Sequence, residues 1–392
     1  MALQATIIQN LLKRPMSLAD LQQLTEASLP TVRRAVQSLT ELHWIHVVGQ
    51  SEANGGRPAM LYGVDDSYYM VFGMQLQLPG IQLIAADLNG NVLNKLKFFE
   101  KEIPPTSLAV RKVVDAIIDL TSQYKDRQVL GLGIASPGFI DQATGDIIVI
   151  GRVPSWKNFP ICRHLSESTG LPVQIANDVD CMAIAEFSDE NKMVNKNLVY
   201  IGFCEGVKAS LFLGGKLYKG SIGNVGLISP DLLNLGDLNI DAPNKQLLTA
   251  NGFINTFDDM VSKLDYSEQK DYQELVDVSH EREKFVLIMK KALTHDDVCF
   301  PLIQKMNFII SVAIANIIYI LQPDEIVIGG MLSAMPKELF LNLEGSIRGQ
   351  IPSLISNNLI IKRGTIAPTN SAALGAIQHF LNNKLDEIIS EN

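Results

Sequence analysis

Residues 174–186 read QIANDVDCMAIAE. A short apolar run ends at Asn177 and Asp178, and a run with helical character follows at once. An acid just past the end of a buried strand is where open α/β sheets place their sites. The same spot suits a helix cap, because a side-chain oxygen there accepts from the first free N–H groups of the helix. Asp178 therefore carries three readings, a base that abstracts a proton, a ligand-holding group or a cap. The chain around them supplies the context.

Upstream, MVFGMQLQ, IQLIAADL and VLNKLKFF read as three successive strands, with Asn89-Gly90 turning the second into the third. Asn-Gly between apolar runs is a strong hairpin signal. A helix over about 107–124 follows, then the buried strand VLGLGIA, a Ser-Pro-Gly turn, another helix and the strand VQIA. From residue 197 the order recurs. NLVYIGF, KASLFLG and KLYKG are strands, followed by helical material, the strand EIVIGG, a helix from about 336, the strand LIIKRGT and a terminal helix. Two copies of one strand-and-helix order predict two similar α/β lobes facing a cleft. The first lobe spans 70–190 and is completed by the terminal helix 371–392; the second spans 195–370, with a helical insertion over 231–300.

Residues 1–64 form a different unit. TIIQNLLKR is a short amphipathic helix ended by Pro15, and Ser17 caps LADLQQLTEA. In SLPTVRRAVQSLTELHWI, Ser28 is the N-cap and Pro30 sits in the first turn, where a missing N–H costs nothing. Val32, Val36, Leu39 and Leu42 make one buried stripe, and Thr31, Arg33, Arg34 and Gln37 lie mostly off it. WIHVVG and AMLYGV flank the polar QSEANGGRP and predict a β-hairpin wing. Three helices and a hairpin make a winged helix-turn-helix, whose third helix carries its arginines near the end that meets base edges in the major groove. Ser28, Thr31, Arg33, Arg34, Gln37 and Arg57 are the candidate DNA contacts. The bland alternative is a helical protein-interaction module with solvated arginines.

The bulk figures describe an ordinary globular chain. Of 392 residues, 47% are hydrophobic and 19% charged, ordinary values for a chain with a large core. The net charge of −9 excludes a surface coated for nucleic acid, yet residues 1–58 sum to +1 and the rest to −10. The four cysteines, at 162, 181, 204 and 299, form no CxxC pair, which points to a reducing compartment without a disulfide framework or zinc cluster. The N-terminus has no secretory h-region, and the apolar stretch Met306–Leu321, interrupted by Asn307, Ser311 and Asn316, reads as a core helix. A cytoplasmic protein is expected.

The stretches GLGIASPGFIDQATGDI, VPSWKNFPICRHLSESTGLPVQIANDVDCMAIAE, LQPDEIVIGGMLS and NSAALGAIQHF, together with the winged helix, carry a family resemblance over nearly the whole chain. The sequence resembles the ROK family (repressors, open reading frames and sugar kinases), and within it the NagC/Mlc/XylR-type repressors. The resemblance implies an actin-like ATPase (ribonuclease H-like) fold of two lobes, a sugar-type ligand in the cleft and a homodimer or homotetramer. Carried over by position, Asn177 and Asp178 hydrogen-bond sugar hydroxyls, Ser136 and Gly138 lie on the same rim, and Ser155 and Trp156 occupy a sugar-contacting stretch. For Trp156 the competing reading is a packed aromatic beneath the cleft.

The departures from the family pattern decide against catalysis. Where ROK kinases carry Asp-x-Gly-Gly-Thr, this chain has GMQLQLPGI, with Gln75 and Gln77 in place of acid and glycine. Bulky side chains there keep backbone N–H groups from a phosphate. The second phosphate loop reads FCEGVKAS, where Glu205 repels a nucleotide. The Gly-Glu-x-Gly-His stretch falls on GLISP, so Leu227 and Pro230 replace a sugar-binding Glu and a zinc-binding His, and residues 227–250 hold no Cys or His. Expected instead are apolar packing of that segment through Leu227, Ile228, Leu232 and Leu233, no metal, no cofactor and no catalytic residue. The function expected is a DNA-binding transcriptional regulator of carbohydrate genes, bound to double-stranded operator DNA and answering to a sugar. The alternatives are a sugar kinase with an added N-terminal domain and a regulator with an empty cleft controlled by a protein partner.

Overall fold

The computed structural model describes residues 3–52, 58–77, 79–151, 153–187, 195–204, 206–228, 246–365 and 368–391. Contacts divide the chain into two compact units, Met1–Glu190 with Asn370–Asn392, and Asn191–Thr369. The N-terminal helices thus share a unit with the first lobe and the end of the chain.

That unit opens with α1 (Leu3–Leu11), a two-residue strand β1 (Met16–Ser17), α2 (Leu18–Thr25) and α3 (Leu29–Glu41). Strands β2 (Ile45–Gln50) and β3 (Met60–Val64) form the wing, in a small antiparallel sheet of order β1-β3-β2. The expected three helices and hairpin are present. β1 is an addition, too short to leave a period in the sequence, and it pairs Met16 with Tyr62.

Five strands follow: β4 (Tyr69–Leu76), β5 (Ile81–Ala86), β6 (Val92–Phe98), β7 (Gln128–Ser136) and, after the small hairpin β8 (Phe139–Asp141) and β9 (Asp146–Val149), β10 (Val173–Asn177). Their order is β10-β7-β4-β5-β6, with β10, β7 and β4 parallel and the remaining pairs antiparallel. All eight residues of β4 are buried, as in a strand covered on both faces. One face packs against α4 (Thr106–Gln123) and α5 (Ile161–Thr169). The other meets α6 (Asp178–Glu186) and the terminal helix (Pro368–Glu391). Glycine permits that second approach: a Cβ on Gly133 would lie 2.1 Å from the Ala376 carbonyl oxygen.

One apolar cluster runs through the unit without a break. It joins Ile7, Val36 and Trp44 of the N-terminal region to Val71 of the sheet and to Phe380 and Leu385 of the terminal helix. Polar contacts close the same seam. The Tyr69 hydroxyl donates to the Leu42 carbonyl at 2.8 Å, the Asp65 N–H donates to the Trp44 carbonyl at 2.9 Å, and the Trp44 and Tyr69 rings stack at 4.2 Å. Burial, helped by Tyr68 and Asp65, pushes the Tyr69 phenol up to about 12, so it stays a neutral donor.

The second unit repeats the first. Its strands β11 (Leu198–Phe203), β12 (Val207–Leu213), β13 (Lys216–Leu217), β15 (Glu325–Gly330) and β16 (Ile360–Arg363) lie in the order β13-β12-β11-β15-β16, with β14 (Leu227–Ile228) also on β12. A meander followed by two parallel strands is the arrangement of β6-β5-β4-β7-β10, so the repeat read from the sequence is present in the backbone. Helices α7 (Ala250–Ser262), α8 (Glu281–Ala292), α9 (Cys299–Leu321) and α10 (Lys337–Gly349) build its core. By length and composition α9 could cross a membrane, but 56% of its most apolar window is buried inside the protein, as a core helix requires.

Candidate nucleic-acid interface and ligand rim

Helix α3 buries Val32, Ala35, Val36 and Leu39 and turns Pro30, Arg33, Arg34 and Gln37 to solvent. Its start is fixed by Ser28, whose hydroxyl accepts from the Thr31 N–H at 3.4 Å and lies 2.8 Å from the Thr31 hydroxyl. The exposed candidates differ in readiness. Arg34 Nε donates back to the Pro30 carbonyl at 3.4 Å, and Gln37 Nε2 donates to Glu41 Oε1 at 3.0 Å. Arg33 makes no hydrogen bond among the described residues. An open groove of about 450 Å³, lined by Leu3, Gln4, Thr31, Arg34 and Ala35, runs beside this face. Arg57 lies outside the described residues.

Helix α2 is held by a capping box: the Asp20 N–H donates to Ser17 Oγ at 3.2 Å and the Ser17 N–H donates to Asp20 Oδ2 at 2.9 Å. The Ser17 backbone and then its hydroxyl hold the Asp20 carboxyl below its usual range. A depressed carboxyl contributes stability above its unfolded value, about 3.9, and loses it as pH falls through the folded value. Asp20→Asn should therefore cost about 0.5–1 kcal/mol at neutral pH, small because the site is half-exposed, and the gap to wild type should close below about pH 4. Urea titrations at pH 7 and pH 3 check this; an equal gap at both would remove the charge from the cap.

At the carboxyl ends of β7 and β10, Ser136 and Asn177 are register partners. Asn177 Nδ2 approaches the Gly138 carbonyl at 3.4 Å, so Ser136, Gly138, Asn177 and Asp178 come together. Gly138 needs its positive φ of 82°, and a Cβ there would meet the Val149 carbonyl oxygen at 2.2 Å. Asn177, not Asp178, is the N-cap of α6: its Oδ1 accepts from the Val179 N–H at 3.0 Å, and Asp178 Oδ1 accepts from the same N–H at 2.9 Å. Ser136 is fully buried and donates to the Pro137 carbonyl at 3.0 Å.

Two sequence-based expectations need correction. Trp156 is 1% exposed, stands edge-on to Phe159 at 5.6 Å and donates its indole N–H to the Pro104 carbonyl at 3.0 Å, so it is a core aromatic with no surface for a sugar. Ser155 beside it is exposed, and no hydrogen bond among the described residues ties it to the rim. Leu227 is 49% exposed, so of the described pair only Ile228 packs against the apolar core, and β14 pairing of Leu227 with Lys208 and Ile228 with Val207 holds the stretch as well. Leu232, Leu233 and Pro230 lie outside the described residues, as does Glu205.

Where a kinase would hold phosphate, β4 turns tightly into β5. The Gln77 N–H donates to the Gly80 carbonyl at 3.0 Å, and Leu76 already pairs with Ile81. A backbone donor used inside the turn is not aimed at a phosphate. Gln75 is 2% exposed.

A capped helix with a polar outer face, a wing and two α/β units of one repeated topology define the class. The chain belongs to the ROK family, whose model matches residues 79–382. Among its relatives are the xylose repressor of Bacillus subtilis (strain 168), 22% identical over 96% of this chain and 95% of that one, and the DNA-binding transcriptional repressor Mlc of Escherichia coli (strain K12), 23% identical over 89% and 85%. The crystal structure of a ROK family transcriptional regulator, a homolog of E. coli Mlc, superposes with a TM-score of 0.76 at 21% identity, covering 99% of both chains. A ROK family glucokinase from Streptomyces griseus, in complex with glucose and AMPPNP, reaches 0.63 at 16% identity, covering 79% of this chain and 98% of that one. The two-lobed fold expected from the sequence is thus the fold of its structural neighbours.

Proposed function

We propose that the protein is a sequence-specific transcriptional repressor of carbohydrate genes that works as a homo-oligomer on double-stranded operator DNA in the cytoplasm. The observation that carries this is α3, capped at Ser28, buried on one face and presenting Arg33 in its first turns, at the head of a ROK chain. The coverage of the neighbours agrees: the repressor-like structure spans the whole chain, whereas the glucokinase leaves about a fifth of it unmatched. The ROK region serves as sensor and assembly domain, without kinase activity. In its β4–β5 turn the Gln77 N–H is spent on the Gly80 carbonyl, and phosphoryl transfer depends on gripping and neutralising phosphates. The rim of Gly138, Asn177 and Asp178 is the effector contact, suited to a polyhydroxylated ligand.

Selection from random duplexes with the full chain tests the reading. A pseudo-palindromic site should emerge, because two identical heads related by a two-fold axis read two inverted half-sites. Arg33→Ala should relax preference at one position per half-site by about 1–3 kcal/mol, the range of a bidentate arginine–guanine contact. No enriched sequence, or an unchanged preference in Arg33→Ala, would count against it. Deleting residues 1–64 is not a clean test, since it strips cover from Tyr69 and Val71.

A further inference from the structure

The first turn of α3 uses its polar groups internally. Ser28 and Thr31 bond each other, and Arg34 Nε reaches back to the Pro30 carbonyl. Beside Ser28, Thr31 and Arg34, which are exposed themselves, the turn also presents hydrocarbon to solvent. Leu29 keeps 38% of its surface exposed, and the Pro30 ring is exposed on the solvent face four residues before Arg34, hence directly above it. Pro30 has no N–H to offer, and neither side chain can donate or accept.

In the major groove every base edge displays donors and acceptors, but only thymine displays an apolar group, its C5 methyl. An apolar tip at the entering end of a recognition helix meets the bases first. We propose that Leu29 and Pro30 form a thymine-methyl reader, so that each operator half-site carries a thymine beside the position read by Arg33. This rests on the DNA-binding function proposed above and specifies part of the sequence bound. It also explains why an otherwise polar helix face keeps a leucine and a proline exposed at its tip. Methyl contact removes both from water when the helix docks.

The test replaces each thymine of the selected operator, one at a time, with deoxyuridine. That change deletes only the methyl and leaves every donor and acceptor in place. With the full chain, one thymine per half-site should lose about three- to tenfold in affinity on replacement, the scale of one buried methyl group. In Leu29→Ala and Pro30→Ala the thymine and deoxyuridine duplexes should converge at that position while preferences elsewhere persist. The scan on the unmutated protein stands even if a variant folds poorly. Equal binding of all deoxyuridine duplexes would overturn the methyl reader and leave the repressor function intact. Failure to select any operator would overturn both.

Discussion

Phe380→Ala should destabilise the N-terminal head, although residue 380 lies far along the chain from α3. Phe380 is fully buried in the cluster that also holds Val36, Leu39 and Trp44 of the head. A Cβ on Gly131 would lie 2.2 Å from its Cζ, so the ring sits hard against the sheet, and truncating it leaves a cavity in the cluster that lobe and head have in common. Truncating a buried phenylalanine typically costs about 3–5 kcal/mol, against a usual domain stability of about 5–15 kcal/mol. Because the cluster has no boundary between head and lobe, both should loosen in one transition. The two tryptophans make this measurable, since Trp44 lies in the head cluster and Trp156 on the opposite face of the sheet. In a Trp156→Phe background, Trp44 fluorescence and far-UV signal should both melt at a lowered temperature. A Trp44 transition that stays at the wild-type temperature would mean that the head is an independent domain.

Asp178→Asn should leave operator affinity of the free protein nearly unchanged and strongly weaken the response to inducer, the latter being whichever compound a thermal-shift screen of sugars and sugar phosphates identifies. The substitution is informative because the cap of α6 survives it: Asn177 Oδ1 already accepts from the Val179 N–H, and an asparagine at 178 keeps an oxygen for the same donor. What disappears is the negative charge. A hydrogen bond to a charged group is worth about 1.5–3 kcal/mol, so inducer affinity should fall about 10- to 100-fold. A ligand shifts only the equilibrium it binds differentially, so derepression falls with it. An unchanged response would leave the carboxylate a helix-terminus group and nothing more. ATP-dependent sugar phosphorylation that vanishes in the variant would restore the kinase reading.

How far the residues disclosed this can be judged element by element. Ser28, Pro30 and the stripe Val32, Val36 and Leu39 announced α3 because capping and burial periodicity are local rules, and Asn89-Gly90 announced its hairpin for the same reason. The repeated topology was legible because each copy repeats the same alternation of strand and helix signals. Trp156 was not legible, since neighbours in sequence do not say which way an aromatic faces; its partner Pro104 is 52 residues away. Nor was the assignment of the cap to Asn177, because adjacent Asn and Asp offer the same acceptor and only the backbone at the strand end chooses between them. The seam at Tyr69, Leu42 and Phe380 joins three distant segments, and a hydrophobic pattern names a face without naming what covers it.

That seam also orders events during synthesis. The head is translated before both lobes, yet part of the apolar cover of its cluster comes from residues 373–389, which are made after every strand of both sheets. Domains usually fold as they emerge, N-terminal first. Here the N-terminal segment keeps its cluster partly open until residues 373–389 have been made. A chain cut short before residue 373 holds every residue of the reading helix and lacks its seal. Such a product is left with an exposed apolar face where the head should be closed.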